Sequence, residues 1–556
     1  MKSVIKSFSE HGTFVQPDSL DYIMSKENPH DFASFITQNL KEYPLVLTVD
    51  QIKNIEQITE VKELPVPDAK VLENKEIQTK MLSSIYTNEI PKPINDDNDL
   101  DYDDPDKTDQ IKVPDEEINE PELPKIVEIK KVKGWRPKAL DYDSEIKIFK
   151  DVTGNSTSEG TSNDFTKLFL DRYDVLRRLL RSQRRELANA IQINHIKKSG
   201  MKEIQIVGII KDVRTTKNGH KLFEIEDETD TATCIALKND RNLLSMANEI
   251  ILDEIIGIRG QLSKNGDLIV IQSIVFPDIS IQNARHKSEV PVYAAFLSDI
   301  HIGSKQFMED EWAGFLRWIN GEVGNSRQRD VAGKIKYIVI PGDVVDGIGI
   351  YPNQEQELSI TDVYRQYEVL ADQLGMIPEH ISIIMQPGNH DAVRPAEPQP
   401  TFEKEIQNLF TSNDITFVGN PCYFSLNDVE ILSYHGQSLL DFATNIQHLK
   451  YNEPVEIMKT MLKKHHLAPT YGGYTPLAPE HSDYMVIDKI PDIFVTGHVH
   501  LATIGEYRGV TLLNASSWQS QTSYQKMLNF IPDSAKLPIV DLKTSNVTMM
   551  DFSSQI

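Results

Sequence analysis

Along the second half of the chain, apolar runs of three to six residues recur, each cut off by a cluster of Gly, Asp, Asn and His. Val292 to Leu297, Tyr337 to Ile340, Ile381 to Met385, Val429 to Leu432 and Ile493 to Val495 are short and rich in β-formers, which predicts buried strands. Upstream, between Glu203 and Asp278, the pattern changes. Ile204 to Ile210, Lys221 to Ile225, Thr233 to Leu237, Ile255 to Ile258 and Leu268 to Ile271 predict five strands, with Asn218-Gly219 and Asn265-Gly266 as hairpin turns. Five strands in so short a span predict an OB-type barrel over 199–282. Such barrels often bind single-stranded nucleic acid through aromatic platforms, but these strands offer few aromatics, chiefly Phe223.

Phe165, Leu168, Phe169, Leu176, Leu179, Leu180, Leu187 and Ile191 recur at helical spacing and predict one helix over 165–198. Arg177, Arg181, Arg184 and Arg185 cluster on another face with Arg178 beside them, either a solvated face or a contact to a phosphate backbone. Residues 1–72 predict a small N-terminal adaptor unit, with short amphipathic helices around Asp31 to Ile36 and a strand at Leu45 to Val49. Between these lies a stretch, 73–164, expected to be a largely disordered acidic linker. Its centre, 92–124, holds 13 Asp or Glu against 3 Lys or Arg.

The formal net charge of −25 argues at first against a nucleic-acid partner. The acidic centre of the linker alone contributes −10 of it, and bound metals would supply positive charge where a phosphate sits. A chain of 556 residues has room for several domains. No apolar run is long enough to span a membrane, and the start, Met1 to Phe8, carries no secretory signal. Two cysteines, Cys234 and Cys422, offer neither a disulfide framework nor a thiolate zinc site, as expected of a reducing cytoplasm.

The chemistry sits where the five strands end. They run into Asp299-Ile-His301, Gly342-Asp343-Val-Val-Asp346, Gly388-Asn389-His390-Asp391, His435-Gly436 and Gly497-His498-Val-His500. Ligands in open α/β sheets bind at that edge of the strands. Carboxylate, imidazole and one amide, with no thiolate, suit Mn²⁺, Fe or Zn²⁺ better than Ca²⁺. These are too many ligands for one ion, and two metals sharing a carboxylate clamp the attacking and leaving oxygens of a phosphoester. Taken singly, Asn389 could terminate a turn and His435 could be a core histidine. Asp346 and Asp391 read as groups that orient ligands or cap loops.

In this order the motifs resemble the calcineurin-like metallophosphoesterase superfamily. Gly347 follows Asp346 where the phosphatases carry Arg, and Asp391 follows His390 where they carry Glu, which leans toward the nucleases. His466 to Pro479, Thr496 to His500 and Asn514 to Thr522 closely resemble the small subunits of archaeal family D DNA polymerases, over about residues 170–556. The resemblance implies an α/β fold: a metallophosphoesterase β-sandwich flanked by helices over 288–556, preceded by the barrel. It implies one metal on Asp299, His301, Asp343 and His500, and a second on Asp343, Asn389, His435 and His498. The expected ions are two divalent cations, Mn²⁺ first. His390 would serve the leaving oxygen rather than bind metal.

It further implies a cytoplasmic 3′→5′ exonuclease that proofreads for a large catalytic subunit and acts on a single-stranded 3′ end of DNA. It also implies a barrel that docks on both the phosphoesterase domain and that partner. The alternatives are a non-catalytic scaffold subunit, disfavoured by the complete ligand set, and a stand-alone repair nuclease, disfavoured by the barrel. Trp518 is read as either an interface anchor or a core residue.

Overall fold

A computed structural model describes residues 127–554 except 131, 281–283 and 413, together with positions 14–15, 22–23, 26, 32–33, 36–37, 46–47 and 52. The chain divides into two compact units, 1–77 and 78–556. In the first, Phe14–Val15 pairs in parallel with Val46–Leu47, inside the strand expected at Leu45 to Val49. Phe32, Ala33, Ile36 and Thr37 are helical, and Ile23, Ala33, Ile36 and Ile52 are buried. The acidic stretch 92–124 lies outside the described residues.

The second unit is built on two six-stranded sheets and a closed barrel. In the first sheet Ile415–Phe417, Ser382–Met385, Ile335–Ile340 and Tyr293–Phe296 run parallel, and Lys536–Asp541 and Val547–Asp551 add antiparallel strands. In the second, Val429–Ser433, Ile493–Thr496 and Val510–Asn514 are parallel, flanked by antiparallel Thr503–Tyr507, Cys422–Leu426 and Ile146–Lys150. All five site strands form where the apolar runs predict them.

Period-two side-chain alternation decides which face of each strand does what. Ala294, Phe296, Tyr337, Val339 and Ile384 from the first sheet share one core cluster with Phe424, Ile431, Ile493, Val495 and Leu513 from the second. Their neighbours Ala295, Ile338, Ile340, Ile383 and Met385 face the other way, onto helices Glu309–Ile319 and Val363–Leu374. Leu432, Phe494 and Leu512 likewise meet helices Leu439–Asn445 and Pro454–Lys464. The result is four layers, helix–sheet–sheet–helix.

The barrel runs in the order Glu203–Thr215, Lys221–Glu226, Thr231–Ala236, Ile269–Val275, Ile255–Leu262, and the last strand closes on the first. Both expected turns form, with Gly219 and Gly266 at φ 81° and 75°. Phe223 packs in the barrel core, so it is no stacking platform.

Two expectations need correction. The single helix over 165–198 is instead a helix at Ser162–Gln183, capped by Thr161 and Asp164, followed by short turns. Arg184 leaves the helical region (φ −112°, ψ 101°) because its guanidinium donates to the carbonyls of Pro277 and Asp278. Ile191 then donates its backbone N–H to Gln205 on the barrel. One of the clustered arginines is thus spent inside the molecule.

The linker, expected to reach 164, gives way earlier to folded chain. Ile146–Lys150 is an edge strand on Cys422–Leu426, and Trp135 lies against Gly321 and donates to the Arg329 carbonyl.

The barrel docks on the layered part through buried charge. Arg172, fully buried, donates from Nε to Asp483 at 2.7 Å and from Nη1 to the Pro469 carbonyl at 2.6 Å. Lys464 meets Glu254 at 2.6 Å. The His466 to Pro479 stretch is part of this seam: Tyr471 packs on Phe165 and donates its N–H to Asp253, while the Asp441 carboxylate accepts from Tyr474 and Thr475. Docking on the layered part is therefore seen.

Candidate metal centre

The parallel strands that end at Phe296, Ile340 and Met385 in one sheet, and at Ser433 and Thr496 in the other, bring their following loops together. Backbone bonds join the loops: Asp299 N–H donates to the Gly342 carbonyl (3.1 Å), His301 N–H to the Asp343 carbonyl (3.2 Å) and Gly497 N–H to the His435 carbonyl (2.8 Å). The fit is tight enough to need glycine. A Cβ at Gly388 would lie 2.3 Å from Asp343 Oδ1, and one at Gly497 would lie 2.4 Å from Asp299 Oδ2.

The backbone is also strained here. Asp299, His301, Asp343, His498 and His500 sit at φ 51°, 53°, 50°, 67° and 57°, a region that side-chain-bearing residues avoid. Each such residue costs on the order of 1–3 kcal/mol, and strain of this kind gathers at functional sites.

The side chains form three overlapping groups, each with ligand atoms within 4.8 Å of one another: Asp299, His301 and His500; His301, Asp343 and His390; Asp343, His435 and His498. Asn389 joins the third, its Oδ1 lying 3.0 Å from His435 Nε2. All eight positions singled out in the sequence therefore meet in one place.

Hydrogen bonds fix what faces inward. His435 donates from Nδ1 to the Pro341 carbonyl (2.9 Å), which turns Nε2 toward the inside of the cluster. Nε2 lies 3.0 Å from Asn389 Oδ1 and 3.2 Å from Asp343 Oδ2. His301 donates from Nδ1 to Asp346 (3.0 Å), which turns its Nε2 toward His500 Nε2 at 3.1 Å, with Asp299 and Asp343 oxygens at 3.9 and 4.0 Å.

Buried carboxylate and amide oxygens and imidazole nitrogens brought this close are the mixed donor types that hold transition-metal ions. This donor set fits divalent metal. It fits the two sets in particular, since Asp343 faces both His301 and His435.

The electrostatics agree. Burial opposes the charge on Asp343, yet His435 and His390 beside it hold its carboxyl well below the usual range. Asp299 is also lowered: burial works against it and His500 overcomes the burial. Burial lowers His435, but Asp343 outweighs that and pushes it up to about 10. Burial, then the His435 charge, brings His498 down to about 3. Burial also lowers His390, but the buried carboxylates Asp343 and Asp346 outweigh it and raise the ring, so two imidazoles answer a negative cluster that bound cations would also suit.

His390, within reach of His301 and Asp343, is held by two hydrogen bonds of its own. Its N–H donates to Asp343 Oδ1 (2.8 Å) and its Nδ1 to the Asp346 carbonyl (2.8 Å), which leaves Nε2 free at the cleft wall. Asp346 holds His301 and is itself held by Gln354 and Gln519, so it fixes the His301 ring. Asp391 accepts from the N–H groups of Gly388 and Val344 and from the Tyr367 hydroxyl, so it caps the loops.

Sequence reasoning missed the residues beyond the last histidine that serve the site. Gln519 bonds Asp346 and Ser304, and Gln525 lies 3.2 Å from His500 Nδ1. Tyr351, Tyr451, Tyr524 and Phe530 line the cleft. Of these, only Gln519 falls inside the Asn514 to Thr522 motif, and no local pattern marks the others. Trp518 of that motif is a core residue: it is fully buried, perpendicular to Trp312 at 5.1 Å, and packed on Phe315 and Phe552.

With this geometry in hand, the comparisons with known proteins are specific. The family model for the B subunits of DNA polymerases alpha and epsilon matches residues 294–504. The DNA polymerase II small subunit of Methanocaldococcus jannaschii is 44% identical over 407 residues, covering 73% of this chain and 68% of that one. That of Archaeoglobus fulgidus is 45% identical over 388 residues, 70% of this chain and 77% of its own. That of Thermoplasma acidophilum is 41% identical over 424 residues, 76% and 83%. The chain belongs to the small-subunit family of archaeal DNA polymerase II, the family D polymerases.

Proposed function

We propose that this subunit is a two-metal 3′→5′ DNA exonuclease that proofreads for the large catalytic subunit of its polymerase. The observation that supports it most is the convergence of Asp299, His301, Asp343, Asn389, His435, His498 and His500 in one buried cluster, with His435 Nε2 3.0 Å from Asn389 Oδ1 and His301 Nε2 3.1 Å from His500 Nε2. The four-layer architecture and the closed barrel fit the metallophosphoesterase and OB-type domains that the motifs imply.

One metal would be held by Asp299, His301, Asp343 and His500, the other by Asp343, Asn389, His435 and His498, with Mn²⁺ the first ion to test. Bound there, the pair supplies Lewis acidity to the phosphate and activates water at neutral pH. The chain's own residues do the rest. Asp346 fixes the His301 tautomer. His390, anchored through Nδ1, presents Nε2 to the cleft, where it can give a proton to the leaving 3′ oxygen.

The test is Mn²⁺-dependent hydrolysis of a labelled primer with a mismatched 3′ end, by this chain alone and with its large subunit. Release of single nucleotides from the 3′ end supports the reading. No hydrolysis in either form contradicts it.

A further inference from the structure

The cleft in front of the candidate metals has one aromatic wall that the hydrolytic chemistry does not use. Tyr351, on the loop after Asp346, and Tyr524, on the helix Ser523–Met527, lie near-parallel (24°) with ring centroids 6.4 Å apart. Tyr351 also lies 6.4 Å from the His390 ring, so the pair starts beside the residue assigned to the leaving oxygen. The cleft volume is about 160 Å³, below the roughly 300–1,000 Å³ of pockets for drug-sized ligands. That is room for one flat ring system, and not for a base pair.

The wall is also tied to the metal ligands. Thr522 caps the helix: its N–H donates to Gln525 Oε1 while its hydroxyl accepts from the Gln525 N–H. This orients Gln525 so that its Nε2 faces His500 Nδ1 at 3.2 Å.

We infer that Tyr351 and Tyr524 form a stacking platform that takes the base of the unpaired 3′-terminal nucleotide and so selects frayed ends over paired ones. The inference rests on the phosphodiesterase reading for which end enters, but base stacking can be measured without hydrolysis. Aromatic stacking is sequence-tolerant and commonly contributes about tenfold or more in affinity per base.

The experiment uses the full chain with Mn²⁺ and single-stranded DNA whose last linkage is a phosphorothioate, with 2-aminopurine at the 3′ terminus. Stacking should quench its fluorescence in the native chain and in Tyr351→Phe. Tyr351→Ala and Tyr524→Ala should each weaken binding about tenfold and lose most of the quenching, with unchanged melting temperature. Replacing the terminal base by an abasic residue should cost the native chain the same factor and cost Tyr351→Ala little more.

Equal quenching in the Tyr351→Ala chain, or equal affinity for base-bearing and abasic ends, would overturn the platform. Stacking here, with no hydrolysis of an unmodified 3′ end by the same chain or its complex, would leave the platform standing and remove the exonuclease.

Discussion

Lys464 Nζ and Glu254 meet at 2.6 Å across the seam between the barrel and the layered domain, with both side chains sealed from solvent. Burial opposes both charges, pushing the lysine down and the carboxylate up, and each is the other's main compensation. Removing one partner leaves a lone buried charge, which costs about 3–5 kcal/mol, while replacing both with apolar groups of similar size is often neutral. Glu254→Ala should therefore lower stability by several kcal/mol in chemical denaturation, and the double change Lys464→Met with Glu254→Leu should recover most of it. Equal losses in the single and double variants would show that the pair is incidental to docking.

The second seam cluster gives a pH dependence. Burial, then Arg172, lowers His466 to about 4, while in the unfolded chain it titrates near ~6.5. Between those values the unfolded state binds the extra proton, so stability falls as pH drops from about 6.5 to 4. Asp483 adds to this at lower pH: burial raises it, but Arg172 and His466 outweigh that and depress it, so its contribution is lost as pH falls below ~3.9. Denaturation midpoints across this range should decline. His466→Gln should flatten the part between 6.5 and 4, and a native chain that gains stability on acidification would contradict the assignment.

How much of this was legible in the sequence depends on how local the cause is. The five site strands could be read because short apolar runs ending in Gly, Asp and His are local signals. The residues that follow those strands, His390 among them, come together because each strand ends at the same edge, while their sorting into ligands rests on the resemblance. The platform was not legible. Tyr351 and Tyr524 meet across 173 residues, which no local pattern records. Trp518 stays open between interface and core in the sequence because a buried and an exposed tryptophan look alike until the Trp312 and Phe552 rings are seen beside it. The helix over 165–198 ran on in the sequence because nothing local marks Arg184 as a residue pulled aside by the carbonyls of Pro277 and Asp278.

Asp346 should matter through His301. Groups that hold a metal-ligating histidine typically contribute 10–100-fold in metal affinity or activity. Asp346→Ala should weaken Mn²⁺ binding by about that factor while leaving the fold intact by circular dichroism. Unaltered Mn²⁺ affinity would mean that the His301 tautomer does not depend on it.

His390→Ala should separate catalysis from binding. The variant should keep its metals and lose about 10²–10⁴ in rate, the range for general acid–base catalysis. Loss of an ion from the variant would make His390 a ligand instead.

Asp343 faces both His301 and His435, so every element of the two-metal account passes through it. The most direct measurement is the number of Mn²⁺ ions bound per full-length chain, in the native protein and in Asp343→Asn, alongside hydrolysis of a 3′-end substrate. The account predicts two ions in the native chain, and in the variant a failure of metal occupancy together with hydrolysis. Fewer than two ions in the native chain, or an Asp343→Asn chain that keeps both ions and near-native hydrolysis, would contradict it.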